Sequence, residues 1–156
     1  MYISYSDKGN ENRNTAYFIS KEITMDDMYR ELIIEHYKNP SYRGTLDPCD
    51  HSYEDENPSC GDELRIMLNV DENNIITDAR FEGHGCAISQ ASADLLLEDV
   101  VGKSVDEVKN MNKDDVLELL GLETLGPARI KCAMLSLKCL KAGLYGVEGH
   151  AWEDII

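Results

Sequence analysis

Residues 64–81 read LRIMLNVDENNIITDARF, and this stretch decides the fold. The even positions from 64 to 70 are apolar, and the odd positions between them are Arg65, Met67 and Asn69. The run DENN at 71–74 then supplies a turn. The chain then returns over 75–81, with Ile76, Ala79 and Phe81 as the expected core residues. Because successive side chains of a strand point to opposite faces, the pattern predicts an antiparallel hairpin with one buried face.

Helical patterns lie on both sides of this hairpin. The first begins at Thr24 and stops at Asn39-Pro40, and a short edge strand is expected near 51–55. After the hairpin we expect a long apolar helix over 87–100, two short helices capped by Ser104 and Asn112, and a last helix opened by Pro127. This order of elements predicts an α+β fold with several helices stacked on one face of a small antiparallel sheet.

The length of 156 residues fits one domain with a buried core. We expect this domain to span 24–146. Residues 1–23 are polar and show no clear periodicity, which predicts a flexible N-terminal extension, and 147–156 are expected to form a C-terminal tail.

The charge balance restricts the classes of partner. Lysine and arginine total 15 against 30 aspartates and glutamates, for a formal charge of −15. A phosphate backbone is repelled by such a field, so nucleic acid is not expected as a partner, whereas a basic protein surface is favoured. No apolar run approaches the roughly 18 residues that span a membrane, and the first residues lack the pattern of a signal peptide. We therefore expect a cytoplasmic protein without membrane contact.

Three of the five cysteines stand in short motifs at expected turns or helix starts. The motifs are PSCGD at 58–62, GHGC at 83–86 and RIKC at 129–132, and the first also contains Asp62. An odd number of cysteines in a reducing compartment favours metal or sulfur chemistry over disulfides. Three thiolates and a carboxylate make a tetrahedral set that suits zinc, or one iron of a cluster together with its bridging sulfides.

The surroundings of these residues favour the thiolate form. Cys86 and Cys132 are expected near helix N-termini, whose unpaired N–H groups stabilise an anion. Lys131 adds a positive charge beside Cys132 and would offset part of the negative charge of a metal bound by thiolates. Asp62 is the unusual ligand, because a structural zinc site generally uses cysteine and histidine throughout. A carboxylate among thiolates indicates a site that opens.

A simpler interpretation is that the cysteines are buried packing residues, since free cysteine often behaves as a small apolar side chain. We assign Cys139, which lies seven residues after Cys132 on the same helix, to the core, and Cys49 to a loop without a role in the site. His84 stands between two glycines and could bind a metal, although a histidine in this setting is more commonly exposed or bonded to the backbone.

Four stretches together resemble the U-type iron–sulfur cluster scaffolds, the family that includes IscU, SufU and the N-terminal part of NifU. They are YRELIIEHYKNP at 29–40, NPSCGD at 57–62, FEGHGCAISQAS at 81–92 and PARIKC at 127–132. The resemblance implies an α+β fold with a three-stranded antiparallel sheet. It assigns Cys60, Asp62, Cys86 and Cys132 as ligands of zinc or of a nascent [2Fe–2S] cluster, and it implies a cysteine desulfurase as the sulfur donor.

Two features concern the subgroup and the partners. Lys131 before the last motif cysteine resembles the SufU branch, but the segment between Cys86 and Cys132 is too short for the insertion that SufU proteins usually carry. The stretch LGPAR at 125–129 departs from the Leu-Pro-Pro-Val-Lys segment that IscU offers to its chaperone. The expectation of a chaperone partner is correspondingly weak.

The leading hypothesis is a scaffold rather than an enzyme. Sulfur arrives as a persulfide on a motif cysteine, iron joins it, and a [2Fe–2S] cluster forms before transfer to apo iron–sulfur recipient proteins. The alternative is a zinc-bound sulfur acceptor that activates a cysteine desulfurase and hosts no cluster. Cys60 or Cys132 would then accept the sulfur, with Lys131 in support. A zinc hydrolase is the third hypothesis, but none of the usual motifs that supply a general base is present.

Overall fold

The structure is a computed structural model that describes residues 25–58 and 61–145. The proposed extension at 1–23, the tail at 147–156 and Cys60 lie outside these residues. The described helices are α1 (Met25–Lys38), α2 (Ala87–Val100), α3 (Val105–Lys109), α4 (Lys113–Leu120) and α5 (Pro127–Tyr145). The strands are β1 (His51–Asn57), β2 (Asp62–Val70) and β3 (Ile76–His84). None of these helices is long and apolar enough to cross a membrane.

The three strands form one antiparallel sheet in the order β1-β2-β3. This confirms the hairpin expected from residues 64–81, and it confirms the three-stranded sheet that the family resemblance implies. Ile76, Ala79 and Phe81 are fully buried, as their spacing predicts. The edge strand β1 is slightly longer than expected, because its pairing with β2 continues to the last register pair, Asn57 opposite Asp62.

The prediction of a single buried face is wrong at Met67, whose side chain is completely buried. The segment between α1 and β1 covers this position. It first pairs with the edge of β3, where the N–H of Phe81 donates to the carbonyl of Tyr42 and the N–H of Gly44 donates to the carbonyl of Phe81. It then passes the sheet, where the N–H of Leu46 lies 3.5 Å from the sulfur of Met67. A loop that is remote in sequence therefore buries the side chain of Met67, which the alternation of apolar and polar residues assigns to the outer face of the sheet.

The helices cover the other face of the sheet and enclose the main core. Helix α5 packs on β1 and β2, α2 packs on β3, and α2 and α5 pack on each other. Between these two helices the hydroxyl of Ser92 donates to the carbonyl of Ala133 at 2.8 Å and lies 2.8 Å from the hydroxyl of Ser136. Small, mutually bonded side chains let the two helices approach closely. The α+β fold with helices on one sheet face is confirmed.

The expected helix boundaries are confirmed by local chemistry. Ser104 and Asn112 are N-caps, and each forms a complete capping box with the acidic residue three positions later. Helix α5 begins at Pro127, where a missing N–H costs nothing because the first-turn N–H groups have no helical partner. Helix α1 ends at Lys38, immediately before Asn39-Pro40.

Helix α1 and the segment after it are held by one buried carboxylate. Asp94 on α2 is fully buried. Its Oδ2 lies 2.6 Å from Nδ1 of His36, and its Oδ1 accepts the N–H of Tyr42 at 2.8 Å. A buried carboxylate needs such partners to offset the loss of its hydration. Asp94 therefore connects α1, the following segment and α2.

Candidate metal centre

Sheet register brings two of the predicted ligands together at one end of the sheet. Asp62 begins β2, and its neighbour Glu63 is paired with His84 at the end of β3. The chain leaving β3 therefore passes Asp62 as it reaches Cys86, which is the N-cap of α2. Cys132 comes from α5, which packs against both α2 and β2. Three separate elements thus deliver one candidate ligand each.

The ligand atoms are close enough to share one ion. One carboxylate oxygen of Asp62 and the sulfurs of Cys86 and Cys132 all lie within 4.8 Å of one another. The sulfur of Cys86 lies 3.7 Å from Oδ2 of Asp62. Bonds of about 2.3 Å to a tetrahedral zinc would place two sulfurs about 3.8 Å apart. The donor set therefore fits a tetrahedral thiophilic metal with little rearrangement.

The centre is closed on one side and open on the other. Asp62 is 2% exposed and Cys132 is 5% exposed, whereas Cys86 is exposed. Two of the candidate ligands are thus shielded from water, while the third is accessible to a reagent or a partner. This asymmetry suits a site at which an incoming group approaches through one ligand.

Gly85 makes room for the carboxylate. A Cβ atom at this position would lie 2.5 Å from Oδ1 of Asp62 and 2.7 Å from the hydroxyl of Ser89. Both distances are far below a normal contact, so any side chain here displaces Asp62 or its neighbour. The second glycine of the GHGC motif is therefore required by the position of the proposed ligand.

The expected helix-terminus environment is present at one cysteine and absent at the other. Cys86 occupies the N-cap of α2, beside the unpaired N–H groups of the first turn. Cys132 lies in the second turn of α5, beyond the range of that effect, and its thiol donates to the carbonyl of Ala128 at 3.6 Å. Among the described residues, the side-chain amide of Asn57 donates to the sulfur of Cys132 at 3.9 Å.

The remaining predicted residues fall into three groups. Cys60 lies outside the described residues, and in the sequence it falls between β1 and β2. Lys131 is exposed on α5 and forms no ion pair with any residue that the structure describes. His84 is also exposed, and its Nε2 lies 3.4 Å from a carboxylate oxygen of Glu63. It is not one of the residues that converge with Asp62.

The two other described cysteines are separate from the centre. Cys139 is fully buried and its thiol lies 3.5 Å from the carbonyl of Leu64, as expected of a core residue. Burial raises the pKa of the Cys139 thiol, with a smaller contribution from the negative charge of Asp55. Cys49 is partly buried in the segment before β1 and does not join the group.

Sequence reasoning did not assign a role to Asn57. It is 4% exposed, and its side-chain amide donates to the sulfur of Cys132 at 3.9 Å. The signal was its place at the start of the NPSCGD stretch, three residues before Cys60 in the sequence. Its contact with Cys132 becomes visible only in the folded structure, where α5 packs against β1.

The comparisons with known proteins agree with this geometry. The family model of the NifU-like N terminal domain matches residues 28–152. The zinc-dependent sulfurtransferase SufU of Bacillus subtilis is 38% identical over 148 residues, which cover 84% of this chain and 99% of that protein. The iron–sulfur cluster assembly scaffold protein IscU of Thermotoga maritima is 37% identical, over 75% of this chain and 92% of that protein.

A solved structure supports the same assignment. The crystal structure described as a putative iron–sulfur cluster assembly scaffold protein for the SUF system from Fervidobacterium islandicum matches with a TM-score of 0.63 and 30% identity. The match covers 73% of this chain and 94% of that one. Sequence motifs, fold and the convergence of Asp62, Cys86 and Cys132 thus lead to one conclusion: the chain belongs to the family of NifU-like N-terminal domains, which includes IscU and SufU.

Proposed function

We propose that this protein is an iron–sulfur cluster assembly scaffold. Its cargo is a [2Fe–2S] cluster held by Cys60, Asp62, Cys86 and Cys132 and passed on to apo iron–sulfur proteins. The observation that carries the proposal is the convergence of a carboxylate and two thiols within 4.8 Å at a centre that is open at Cys86. The relatives named as IscU scaffolds support it.

The donor set suits the assembly of a cluster better than its permanent storage. Thiolates bind iron and zinc strongly, whereas a carboxylate is a harder and more weakly held ligand for either metal. Asp62 is therefore the ligand that would exchange first when a cluster is built or transferred. A buried carboxylate without a metal is costly, and the N–H of Cys86 offsets part of that cost at 2.9 Å.

Sulfur would be supplied by a cysteine desulfurase as a persulfide. A motif thiolate attacks the outer sulfur of the donor persulfide, the sulfur–sulfur bond of the donor breaks, and the donor cysteine leaves as a thiolate. We propose Cys60 and Cys132 as the acceptors, with Lys131 offsetting negative charge nearby. Cys132 is 5% exposed, so the transfer of sulfur to that residue requires the metal centre to open. Conversion of the accepted sulfur to sulfide then requires a two-electron reductant.

The second candidate function is zinc-dependent sulfur acceptance without a cluster. The Bacillus subtilis relative that covers 84% of this chain is named a zinc-dependent sulfurtransferase, and Lys131 before the last motif cysteine favours this branch. The same four ligands would then hold zinc, and one of them would be released to take sulfur from the desulfurase. In this role the protein would act as a sulfurtransferase, whereas the scaffold role requires no catalytic turnover.

Metal analysis separates these two functions. The protein is purified without oxygen, and its iron, zinc and acid-labile sulfide are counted before and after incubation with a cysteine desulfurase, cysteine, ferrous iron and a reductant. We expect two irons and two sulfides per cluster, with visible absorption, and transfer of the cluster to an apo-ferredoxin. One tightly bound zinc, no visible absorption after reconstitution and faster desulfurase turnover would instead establish the sulfurtransferase.

The Cys86→Ser variant tests the centre itself, because it removes one proposed ligand and keeps the size of the side chain. If Cys86→Ser assembles a cluster and binds zinc as the wild type does, both proposed functions of this centre are wrong.

A further inference from the structure

A cavity lies directly beside the metal centre. It has a volume of about 310 Å³ and lies between the C-terminal end of α1, the segment that follows, and the chain between β3 and α2. Lys38, Arg43 and His84 line it, together with Gly85 and Gln90. Among residues 25–58 and 61–145, no aspartate or glutamate lines the cavity, although acidic residues outnumber basic ones two to one in the whole chain. The lining is thus basic on an acidic protein, and two carboxylates lie just outside it, Glu63 beside His84 and Asp62 beside Gly85.

The guanidinium of Arg43 is held in place by neutral acceptors. It donates to Oε1 of Gln90 at 2.6 Å and to the carbonyl of Gly83 at 2.6 Å, and it lies over the ring of Phe81 at 5.8 Å from the centroid. Among the described residues no carboxylate pairs with Arg43 or with Lys38. Two positive charges therefore remain without a counter-ion from the described part of the chain, and one of them is rigidly oriented.

Gln90 supplies an unused hydrogen-bond donor. Its side chain is 3% exposed, and Nε2 has no hydrogen-bond partner in the part of the chain that the structure describes. The orientation of the amide is fixed by Arg43, because a flipped amide would direct its NH₂ group at the N–H groups of the guanidinium. A buried donor without a partner costs about 1–3 kcal/mol, so its retention beside a basic cavity points to a ligand that accepts from it.

We propose that this cavity is a carboxylate-binding site next to the metal centre. Nε2 of Gln90 is shielded from solvent, so a carboxylate oxygen would accept from it after a small shift of the amide side chain, and the negative charge would be balanced by Arg43 and Lys38. The planar guanidinium of arginine matches the geometry of a carboxylate, and a neutral amide N–H can add a further donor. Because Gly85 lines the cavity and precedes Cys86, a bound carboxylate would lie next to the exposed ligand of the centre. This proposal is independent of the function that the metal centre performs.

The test is a titration of the protein as purified, with its metal bound, followed by amide NMR. Acetate is added at constant ionic strength, with chloride as the reference salt. We expect saturable shifts of the Gly83, Gly85 and Gln90 amides with acetate and none with chloride. Gln90→Glu keeps the shape of the side chain and its contact with Arg43, but it places an internal carboxylate in the cavity. We expect this variant to bind acetate at least about tenfold more weakly.

Lys109→Gln is the matched control, since it changes the net charge by the same unit on an exposed position of α3, away from the cavity. It should bind acetate as the wild type does. Lys38→Gln, an exposed substitution at the end of α1, provides a second test that does not touch the buried amide, and it should weaken binding several-fold. Metal content is measured on every sample, so loss of the anion site is distinguished from loss of the metal centre.

The source of the carboxylate is identified by two further probes. Tighter binding of N-acetyl-aspartate amide than of acetate would indicate an acidic side chain of a docked protein. Tighter binding of a free amino acid such as cysteine would indicate a small molecule. The proposal is wrong if the wild type shows no saturable shift with any of these carboxylates, or if Gln90→Glu and Lys38→Gln both bind acetate as tightly as the wild type.

Discussion

The backbone N–H of Cys86 donates a hydrogen bond of 2.9 Å to Oδ1 of Asp62, and the sulfur of Cys86 lies 3.7 Å from Oδ2 of the same carboxylate. One oxygen is thus used to orient the carboxylate, while the other faces the thiol with which it would share a metal. The same contact joins the start of β2 to the start of α2. A change at either residue should therefore affect both metal binding and the local geometry of the centre.

Asp62→Asn separates these two effects. The amide oxygen can still accept from the N–H of Cys86, but the anionic ligand is lost. We expect zinc or iron affinity to fall by at least about tenfold, while the free energy of unfolding of the metal-free protein changes little. Asp62→Ala should lose both, with a further cost of about 1–3 kcal/mol because the N–H of Cys86 is left without its acceptor. Competition with a chromophoric chelator and urea unfolding measure the two quantities.

Asp106→Asn on the exposed side of α3 is the control for charge, and it should leave metal affinity unchanged. Wild-type affinity in Asp62→Asn would remove Asp62 from the proposed ligand set. In the scaffold function we also expect Asp62→Ala to assemble a cluster but to transfer it more slowly to an apo-ferredoxin, because the most weakly held ligand is missing.

The cysteines should divide into two classes when each is changed to serine. We expect Cys60→Ser, Cys86→Ser and Cys132→Ser to lose most of the bound metal, because each removes a thiolate ligand. Cys49→Ser and Cys139→Ser should retain the metal, since neither residue joins the converging group. Metal stoichiometry on the five variants tests this prediction. Full retention in one of the first three would exclude that cysteine from the centre.

Gly85→Ala should weaken metal binding although glycine is no ligand. The added Cβ would lie 2.5 Å from Oδ1 of Asp62, so the carboxylate must move away from its position beside Cys86. We expect at least about a tenfold loss of affinity, similar to the loss caused by changes in groups that orient a metal ligand. Gly126→Ala is the matched control, because a Cβ there has no neighbour within 4 Å. Equal affinities in the two variants would contradict this role of Gly85.

Asp94→Ala should destabilise the fold without a direct effect on the centre. It removes the acceptor of the Tyr42 N–H and the partner of His36 from a fully buried position. We expect the free energy of unfolding of the metal-free protein to fall by about 3 kcal/mol.

Asp99 lies on the same helix as Asp94 and forms a partly exposed ion pair with Lys103, which follows the helix. Asp99→Ala removes this carboxylate, and it should lower the free energy of unfolding by less than about 0.5 kcal/mol. Urea unfolding followed by circular dichroism measures both variants. Equal destabilisation by the two changes would contradict the importance of the buried position of Asp94.

The reactivity of the thiols should follow their burial. Burial raises the pKa of the Cys139 thiol, so the reactive thiolate form is suppressed at pH 8, and the side chain is also inaccessible. In the metal-free folded protein we expect iodoacetamide to modify Cys86 well before Cys139. Peptide mapping by mass spectrometry at increasing times measures the two rates. Modification of Cys139 at the rate of Cys86 would show that α5 separates from the sheet under native conditions.

The sequence by itself determined the features that depend on neighbouring residues. Strict alternation over 64–70 and a polar turn were enough to predict the hairpin, and the caps at Ser104 and Asn112 rest on side chains that bond to N–H groups only two or three residues away. The short motifs also singled out Asp62 and Cys86 as candidate ligands, because the turns and glycines around these residues are visible in the chain, and the structure places the two side chains together.

Only the tertiary structure decided how distant segments meet. The burial of Met67 comes from a loop that crosses the sheet, and the second-turn position of Cys132 replaces the expected helix-terminus contact with one from Asn57. The cavity at Gln90 likewise combines α1, β3 and α2. Periodicity reports which face of an element is apolar, but the contacts across the core depend on which elements pack together and at what distance. Those contacts depend on how all the helices and strands together bury their apolar side chains, and no single motif determines them.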